Sequence, residues 1–407
     1  MPWIVSVTLI VLIPLVLVYW FVGKNLVSAI VLNTGWDRRK VVRWMAVGCG
    51  YLNSFPLIFV GVVLLGGRGS VPAFSGESFL LDVLFVYPFW FGLIVVVQAF
   101  LFLLLLLLAR LLSFPWYRNV KERWRQVEGR LFMGMVAFLI PYSAVVIARD
   151  TWTVRTVDIP IGVPQKASGL IGKKIVFVSD VQGDGRTDER ELRSYVERIN
   201  SLHPDMVFFA GDLVTSGERY IESSADIMGR IGPNVVKVAV VGDHDMFSDR
   251  DSVVDALHRN GFIIADDSTV TLAVDSTKCS VSLVTNTYMR RPKLGRLQEL
   301  AAEAARADYR IFLVHQPAEQ LVRFAEGQGY NLFLAGHTHG GGVAFGIPGL
   351  FLAAPAKLES RYMSGRYSAG SMTVVVTNGL GLTLTPFRFH APAEITVLTF
   401  EARNGRE

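Results

Sequence analysis

The chain has 407 residues, 51% of them hydrophobic, and a mean hydropathy of +0.39. That is too apolar for a protein soluble along its whole length, so bilayer-spanning segments are expected. The net charge of +5 is not a nucleic-acid footprint: residues 1–149 hold 13 Lys and Arg against 5 Asp and Glu, whereas residues 150–407 hold 27 against 30, and no nucleic-acid partner is expected.

Four segments approach the roughly 20 apolar residues that a bilayer core requires. They are residues 3–22, residues 44–65, a third within 79–112 that includes LFLLLLLLA, and residues 131–148. The first run lacks a charged leader and a small-x-small cleavage site, which fits an uncleaved anchor. Basic residues concentrate in two connections. Lys24, Arg38, Arg39, Lys40 and Arg43 follow the first span, and Arg110, Arg118, Lys121, Arg123, Arg125 and Arg130 follow the third; the second connection has only Arg68. Basic loops stay cytoplasmic. Four crossings of the cytoplasmic membrane then leave the N-terminus and everything beyond Arg149 on the extracytoplasmic side. Asp82 is the main ionisable residue in the spans, which argues against a transport pathway. Cys49 and Cys279 form no disulfide framework.

At RDTWTVRTVDIPIGVPQKASGLIGKK the composition turns polar and carries Gly and Pro. Residues 1–149 therefore read as a four-helix transmembrane region, 150–172 as a linker and approach, and 173–407 as one sizeable domain. Within that domain β-rich apolar runs alternate with helical patterns. KIVFVS precedes DERELRSYVERINSL, DMVFFA precedes ERYIESSADIMGRI, and VVKVAVV precedes RDSVVDALHRNG, where Gly261 is a helix stop. YRIFLV, the helical AEQLVRFAEG and YNLFLA follow. Residues 270–274 and 280–284 suggest a hairpin, and MTVVVT and EITVLTF close the chain. Such alternation predicts an α/β fold of sheets covered by helices.

Polar signatures follow these strands. Asp180 and Gln182 come after the first and Asp212 after the second. Asp243, His244 and Asp245 lie in GDHD, and His315 follows IFLV. His337 and His339 lie in GHTH. Ligand sites of α/β sheets gather at the carboxyl ends of strands. Four of the seven His fall in these positions, whereas His203, His258 and His390 have no such setting. A lone Gly-Asp after a strand is usually a turn; the ordered set is what points to chemistry. Several carboxylates and imidazoles together can hold two divalent ions, with a shared water losing its proton to become a nucleophile while the pair clamps phosphoryl oxygens.

SDVQ, GD at 211–212, GDHD at 242–245, His315 and GHTH at 336–339 resemble the calcineurin-like metallophosphoesterases, whose pattern is Asp-x-His, Gly-Asp, Gly-Asn-His-Asp/Glu, His and Gly-His-x-His. GHTHGGGV, RYMSGRY and TNGLGLTLTPFRFHAPAEITVLTF resemble the membrane-attached bacterial branch. The resemblance covers roughly residues 173–400. It implies a four-layer α-β-β-α sandwich and two divalent metal ions. It further implies Asp180 and His339 as first-metal ligands, Asp212 as bridge, and Asp243, His315 and His337 at the second metal. His244 becomes a general acid or transition-state stabiliser oriented by Asp245.

Two positions depart from the pattern. Gln182 stands where the family has His, and Asp243 where it has Asn. Both changes add oxygen donors, which favours Mn²⁺ or Mg²⁺, with iron and zinc also open. Asp184 is either a further donor or a turn residue. The expected function is a membrane-anchored phosphohydrolase acting on phosphomono-, phosphodi- or pyrophosphate esters. Lipid or lipid-linked substrates suit the tether to the bilayer. The alternative is a degenerate domain that binds or scaffolds without turnover. The apolar FGIPGLFLAAPAKLES is expected as a buried strand and loop, or else as a pocket lining.

Overall fold

The computed structural model describes residues 3–66, 76, 78–347, 350–382 and 385–402. Arg68, expected in the second connection, and residues 348–349 of the apolar C-terminal stretch lie outside the described residues. Two compact units meet at residue 148/149.

The first unit is helical: α1 (Trp3–Thr34), α2 (Arg38–Leu52), α3 (Ser54–Gly66), α4 (Phe79–Leu81), which runs through a π turn at Asp82–Val86 into α5 (Tyr87–Leu112), and α6 (Phe114–Trp152). Leu12–Thr34, Phe79–Leu112 and Val120–Trp152 are each long and apolar enough to cross a membrane. The expected second span is two helices bent by 42° at Asn53, so among the described residues the unit holds three such helices, or four if the bent pair is one span. The bend falls where Asn53 closes α2 by donating its backbone N–H to Cys49 O, and where Pro56 in the first turn of α3 needs no amide partner. Lys24 was expected in a loop. It lies inside α1, its ammonium 5.1 Å from the Trp20 ring centroid, because the apolar pattern continues beyond residue 22.

The second unit is built on strands β1 (Arg155–Val163), β2 (Lys174–Val178), β3 (Met206–Phe209), β4 (Val236–Ala239), β5 (Phe262–Ile264), β6 (Ser268–Val274), β7 (Thr277–Val284), β8 (Tyr309–Val314), β9 (Leu332–Ala335), β10 (Phe345–Ile347), β11 (Leu350–Ala353), β12 (Gly365–Ala369), β13 (Met372–Val376) and β14 (Glu394–Ala402). One six-stranded sheet has the order β1-β14-β2-β3-β4-β5, and the other β12-β13-β9-β8-β7-β6. The stretch 150–172, expected as linker and domain entry, contains regular structure: the helix α6 ends at Trp152 and β1 pairs in parallel with β14 from Arg155↔Glu394 onward. Pro160 is tolerated there because β1 is an edge strand.

Residue alternation sorts the core into layers. Val176, Val178, Val207 and Phe209 face a cluster with Leu192, Val196, Ala225 and Leu257 from α7 (Glu189–Ser201), α8 (Ile221–Gly229) and α10 (Arg250–Arg259), which follows the short α9 (Asp243–Ser248). Their neighbours Ile175, Phe177 and Phe208 meet Val281, Ile311, Leu313 and Leu334 of the second sheet. The outer face of that sheet, with Phe312, Val314 and Phe333, packs on Leu300 and Val322 of α11 (Leu294–Ala304) and α12 (Glu319–Gly327). The result is helices, sheet, sheet, helices. β2, β3 and β4 run parallel in one sheet, and β7, β8, β9 and β13 in the other. Their carboxyl ends supply the loops described next.

Candidate metal centre

The loops that follow β2, β3, β4, β8 and β9 carry all nine sequence-predicted site residues. Pairing continues past the strands: the amides of Asp180, Gln182 and Gly183 donate to the carbonyls of Gly211 (2.8 Å), Asp212 (3.0 Å) and Leu213 (2.9 Å). Asp180, Gln182, Asp212, His337 and His339 all have positive φ (51°, 54°, 60°, 71° and 48°). Non-glycine residues rarely hold this conformation, and five of the nine described residues that do are gathered here. Glycine is needed beside them: a Cβ on Gly242 would collide with Asp212 Oδ1, and one on Gly211, at φ +87°, with the backbone of residues 241–242.

These turns aim the side chains inward. His315 Nε2 lies 3.5 Å from Asp212 Oδ2 and 3.3 Å from Asp243 Oδ2. His337 Nδ1 is 3.0 Å from Asp243 Oδ2, and His339 Nε2 is 3.3 Å from Asp180 Oδ1. Two groups present ligand atoms within 4.8 Å of one another: Asp243, His315 and His337, and Asp180, Asp212 and His315. Gln182 joins the second group, its amide nitrogen donating to Asp212 Oδ2 at 2.8 Å. His315 Nδ1 is anchored on Ala210 O at 2.6 Å, which directs Nε2 at the carboxylates.

Asp245 does something other than orient His244. Its carboxylate accepts the amides of Gly242 (2.9 Å), Asp212 (2.9 Å) and Leu213 (2.8 Å), bracing the turns that carry Asp212 and Asp243. Successive residues of a helix point about 100° apart, so neighbours at 244 and 245 do not share a face. His244 is held by its own amide on Asp212 Oδ1 (2.8 Å) and by Nδ1 at 2.5 Å from Thr215 O. Asp184 is a turn residue: Oδ1 accepts the amides of Arg186 (2.7 Å) and Thr187 (2.8 Å). His203 sits in a turn, His258 on α10, and His390 against the Phe389 ring.

Four further residues reach this centre without having been singled out from the sequence. Gln316 donates to Asp243 Oδ2 at 2.7 Å, and Tyr288 gives its amide to Asp243 Oδ1 at 2.6 Å. Glu359 meets His337 Nε2 at 2.8 Å. Arg388, fully buried, spans the loops beside His339. Gln316 was findable as the neighbour of His315; Arg388 and Glu359 lie in the quoted stretches TNGLGLTLTPFRFHAPAEITVLTF and FGIPGLFLAAPAKLES, where nothing marked them individually, and Tyr288 lies in a loop with no distinctive pattern.

The electrostatics fit a cation site. Burial would raise the carboxyl of Asp243, but the His315 and His337 hydrogen bonds overcome it and hold the group well below the carboxylate range. Asp180 is likewise lowered, burial being outweighed by His339 and His315. Burial pushes Asp212 up to about 6 and His339 down to about 3. Burial would lower His337, yet hydrogen bonds to Asp243 and Glu359 lift it to about 9, and His315 is raised by Asp212 and Asp243 against its own burial. Cations supplied from outside would replace the protons that now balance the acids. Below about pH 9 a divalent ion must displace the His337 proton, so affinity should climb as pH rises toward that value. Each displaced proton contributes about a tenfold gain per pH unit. Mn²⁺ titration calorimetry across neutral pH reads this slope, and a flat profile would contradict it.

Gln182 Oε1 is buried with no hydrogen-bond partner among the described residues, and the buried Asp180 Oδ1 and His315 Nε2 face only other candidate ligands, His339 Nε2 at 3.3 Å and the Asp243 and Asp212 carboxylates at 3.3 and 3.5 Å. Leaving a buried polar atom unpaired costs about 1–3 kcal/mol, and all three are lone-pair donors converging on one space. The donor set fits a pair of divalent cations.

Comparison with known proteins agrees with this geometry. A family model for calcineurin-like phosphoesterases matches residues 173–341. The chain is 30% identical over 247 residues to an uncharacterized metallophosphoesterase, YkuE, of Bacillus subtilis (strain 168), covering 58% of this chain and 82% of that one. It is 26% identical over 269 residues to an uncharacterized metallophosphoesterase of Campylobacter jejuni, covering 65% and 67%. A transmembrane protein with metallophosphoesterase domain from Danio rerio is 27% identical over 251 residues, 60% of this chain and 56% of that one. With strand-end acids and imidazoles in matching order, and a relative this similar over most of its length, the chain belongs to the calcineurin-like metallophosphoesterase family.

Proposed function

We propose that the protein is a membrane-anchored phosphohydrolase that uses two divalent cations, Mn²⁺ or Mg²⁺ in preference to iron or zinc, to cleave phosphomono-, phosphodi- or pyrophosphate esters. The observation that carries this reading is the convergence of buried lone-pair donors on Asp180, Gln182 and His315, the Gln182 Oε1 without any hydrogen-bond partner among the described residues, inside a cluster of acids and imidazoles. Asp180, Gln182 and His339 would hold one cation, Asp243, His315 and His337 the other, and Asp212 lies against both donor sets. The cations supply Lewis acidity toward phosphoryl oxygens and lower the pKa of bound water. His244 is positioned beside the cluster by Thr215 O and by its amide on Asp212, which supports a role, as the imidazolium, as proton donor or stabiliser toward the phosphoryl group.

The lipid or lipid-linked substrate class is supported by the apolar helices, which keep the chain at a bilayer. A catalytic domain outside the cytoplasmic membrane is supported by charge. If the bent pair α2–α3 counts as one span, the basic residues around α2 and around the α5–α6 junction fall on one face, as the positive-inside rule demands.

The full chain in detergent should hydrolyse an activated phosphodiester when Mn²⁺ is added, and metal-replete protein inert toward mono-, di- and pyrophosphate esters alike would favour a binding or scaffold role. Gln182→His adds an imidazole to the first donor set. It should raise affinity for Zn²⁺ relative to Mn²⁺ about tenfold or more, read by competitive metal titration. An unchanged ratio would place Gln182 outside the ligand set.

A further inference from the structure

His337 is gripped on both ring nitrogens. Nδ1 lies 3.0 Å from Asp243 Oδ2, on the cluster side, and Nε2 lies 2.8 Å from Glu359 Oε2, on the solvent side. Tyr288 ties the two grips together. Its amide donates to Asp243 Oδ1 at 2.6 Å and its hydroxyl to Glu359 Oε1 at 2.7 Å, with the same hydroxyl 3.3 Å from His337 Nε2. Its ring stands edge-on to the imidazole, 5.5 Å between centroids and 70° between planes. The His315 ring closes the other side at 5.1 Å and 72°. His337, Tyr288 and Glu359 come from three loops distant in sequence.

We propose that Glu359 and Tyr288 are positioning residues for the second cation, selecting the His337 tautomer that carries its proton on Nε2 and so presents the Nδ1 lone pair to the site. A carboxylate only accepts hydrogen bonds, so the Glu359 contact at Nε2 requires a hydrogen there; when a cation takes the place of the Nδ1 hydrogen that faces Asp243, Nδ1 is the nitrogen left to donate an electron pair. Carboxylates behind a ligating imidazole fix ring orientation and raise its basicity. The arrangement concentrates negative charge at the second cation, through Asp243 and Glu359, while the first set has Gln182 in place of an imidazole. The two cations are then held unequally, the second more tightly.

This inference rests on the two-cation reading, and Mn²⁺ titration calorimetry of the full chain in detergent separates the two. Wild type should show a tight and a weak site. Glu359→Ala should weaken the tight one by about 10- to 100-fold and leave the other within about twofold. Glu359→Gln, whose carbonyl still accepts from Nε2, should recover most of that loss, and Tyr288→Phe should cost only a few-fold. Because Glu359 is half exposed, the unfolding midpoint of Glu359→Ala in chelator should match wild type. Glu359→Ala with both dissociation constants unchanged, or with both raised equally, overturns the proposal while leaving the hydrolase intact. A wild-type chain that binds no Mn²⁺, or an Asp212→Asn chain that binds it as wild type does, overturns the two-cation reading and this inference with it.

Discussion

Asp212→Asn should reduce Mn²⁺-dependent hydrolysis at least about a thousandfold while leaving the fold in place. Asp212 Oδ2 lies 3.5 Å from His315 Nε2 and accepts from Gln182, while Oδ1 accepts the His244 amide. The side chain therefore touches both donor sets and the loop of the proposed proton donor. Asparagine keeps the shape and one oxygen acceptor but removes the charge. Cation stabilisation of a phosphoryl transition state is a matter of several kcal/mol, and each 1.36 kcal/mol is a factor of ten in rate. The backbone hydrogen bonds of residue 212 to Asp245 and Gln182 do not use its side chain, so the unfolding midpoint in chelator should not fall. It should rise slightly, because burial disfavours the Asp212 charge, lifting the group to about 6. At neutral pH the folded chain carries that cost and the unfolded chain does not. Residual hydrolysis within about tenfold of wild type would mean that Asp212 is not at the reacting centre.

Arg388→Met should produce the largest loss of stability. The guanidinium, only 1% exposed, donates to the carbonyls of Asn378 (3.0 Å), Ala391 (3.1 Å), Gly379 (3.1 Å) and Gly381 (2.6 Å), and lies 3.4 Å from His339 Nδ1. It staples the loop after β13 to the GHTH turn. Methionine fills the volume but leaves the buried carbonyls of Asn378, Ala391 and Gly381 without a donor, Gly379 keeping the Glu394 amide, at about 1–3 kcal/mol each before relaxation. A net loss of about 3 kcal/mol lowers the unfolding midpoint of a domain this size by roughly 6–12 °C. Arg388→Lys, which keeps the charge without the fork, should fall between. A midpoint within about 2 °C of wild type would show that other donors replace the guanidinium.

The contrast between these two residues shows what was legible in the sequence. Asp212 follows an apolar strand directly, so the hydrophobic pattern that defines β3 also places the acid at its end. The same logic exposed Asp180, Gln182, Asp243, His315, His337 and His339. Arg388 has no such marker: its partners are backbone carbonyls, which every residue carries, and its burial is decided by loops that pack on it. Glu359 and Tyr288 were hidden for the same reason. At Asp245 the resemblance implied a partner for His244, whereas the carboxylate accepts the backbone amides of Gly242, Asp212 and Leu213.

Strand β1 shows a second limit. RTVDIPIGV mixes charge, Gly and Pro, and on composition it reads as a linker. Its period-two burial appears only once β14 is beside it, Ile159, Ile161 and Val163 turning inward. The membrane region was legible as to content and less so as to boundaries. Helical pattern continues through Lys24 in α1 and through the basic stretch of α6, and hydropathy alone does not reveal the bend at Asn53.

The account depends on the buried acids and imidazoles acting as one two-cation hydrolytic centre. Stepwise addition of Mn²⁺ to the chelated full chain, with bound metal and phosphodiester hydrolysis measured on the same samples, tests this most directly. Hydrolysis should rise in step with occupancy of the weaker site, the one built on Asp180, Gln182 and His339, and level off near two Mn²⁺ per chain. Full activity in the chelated protein, or two bound Mn²⁺ with no hydrolysis of any phosphoester, would contradict it.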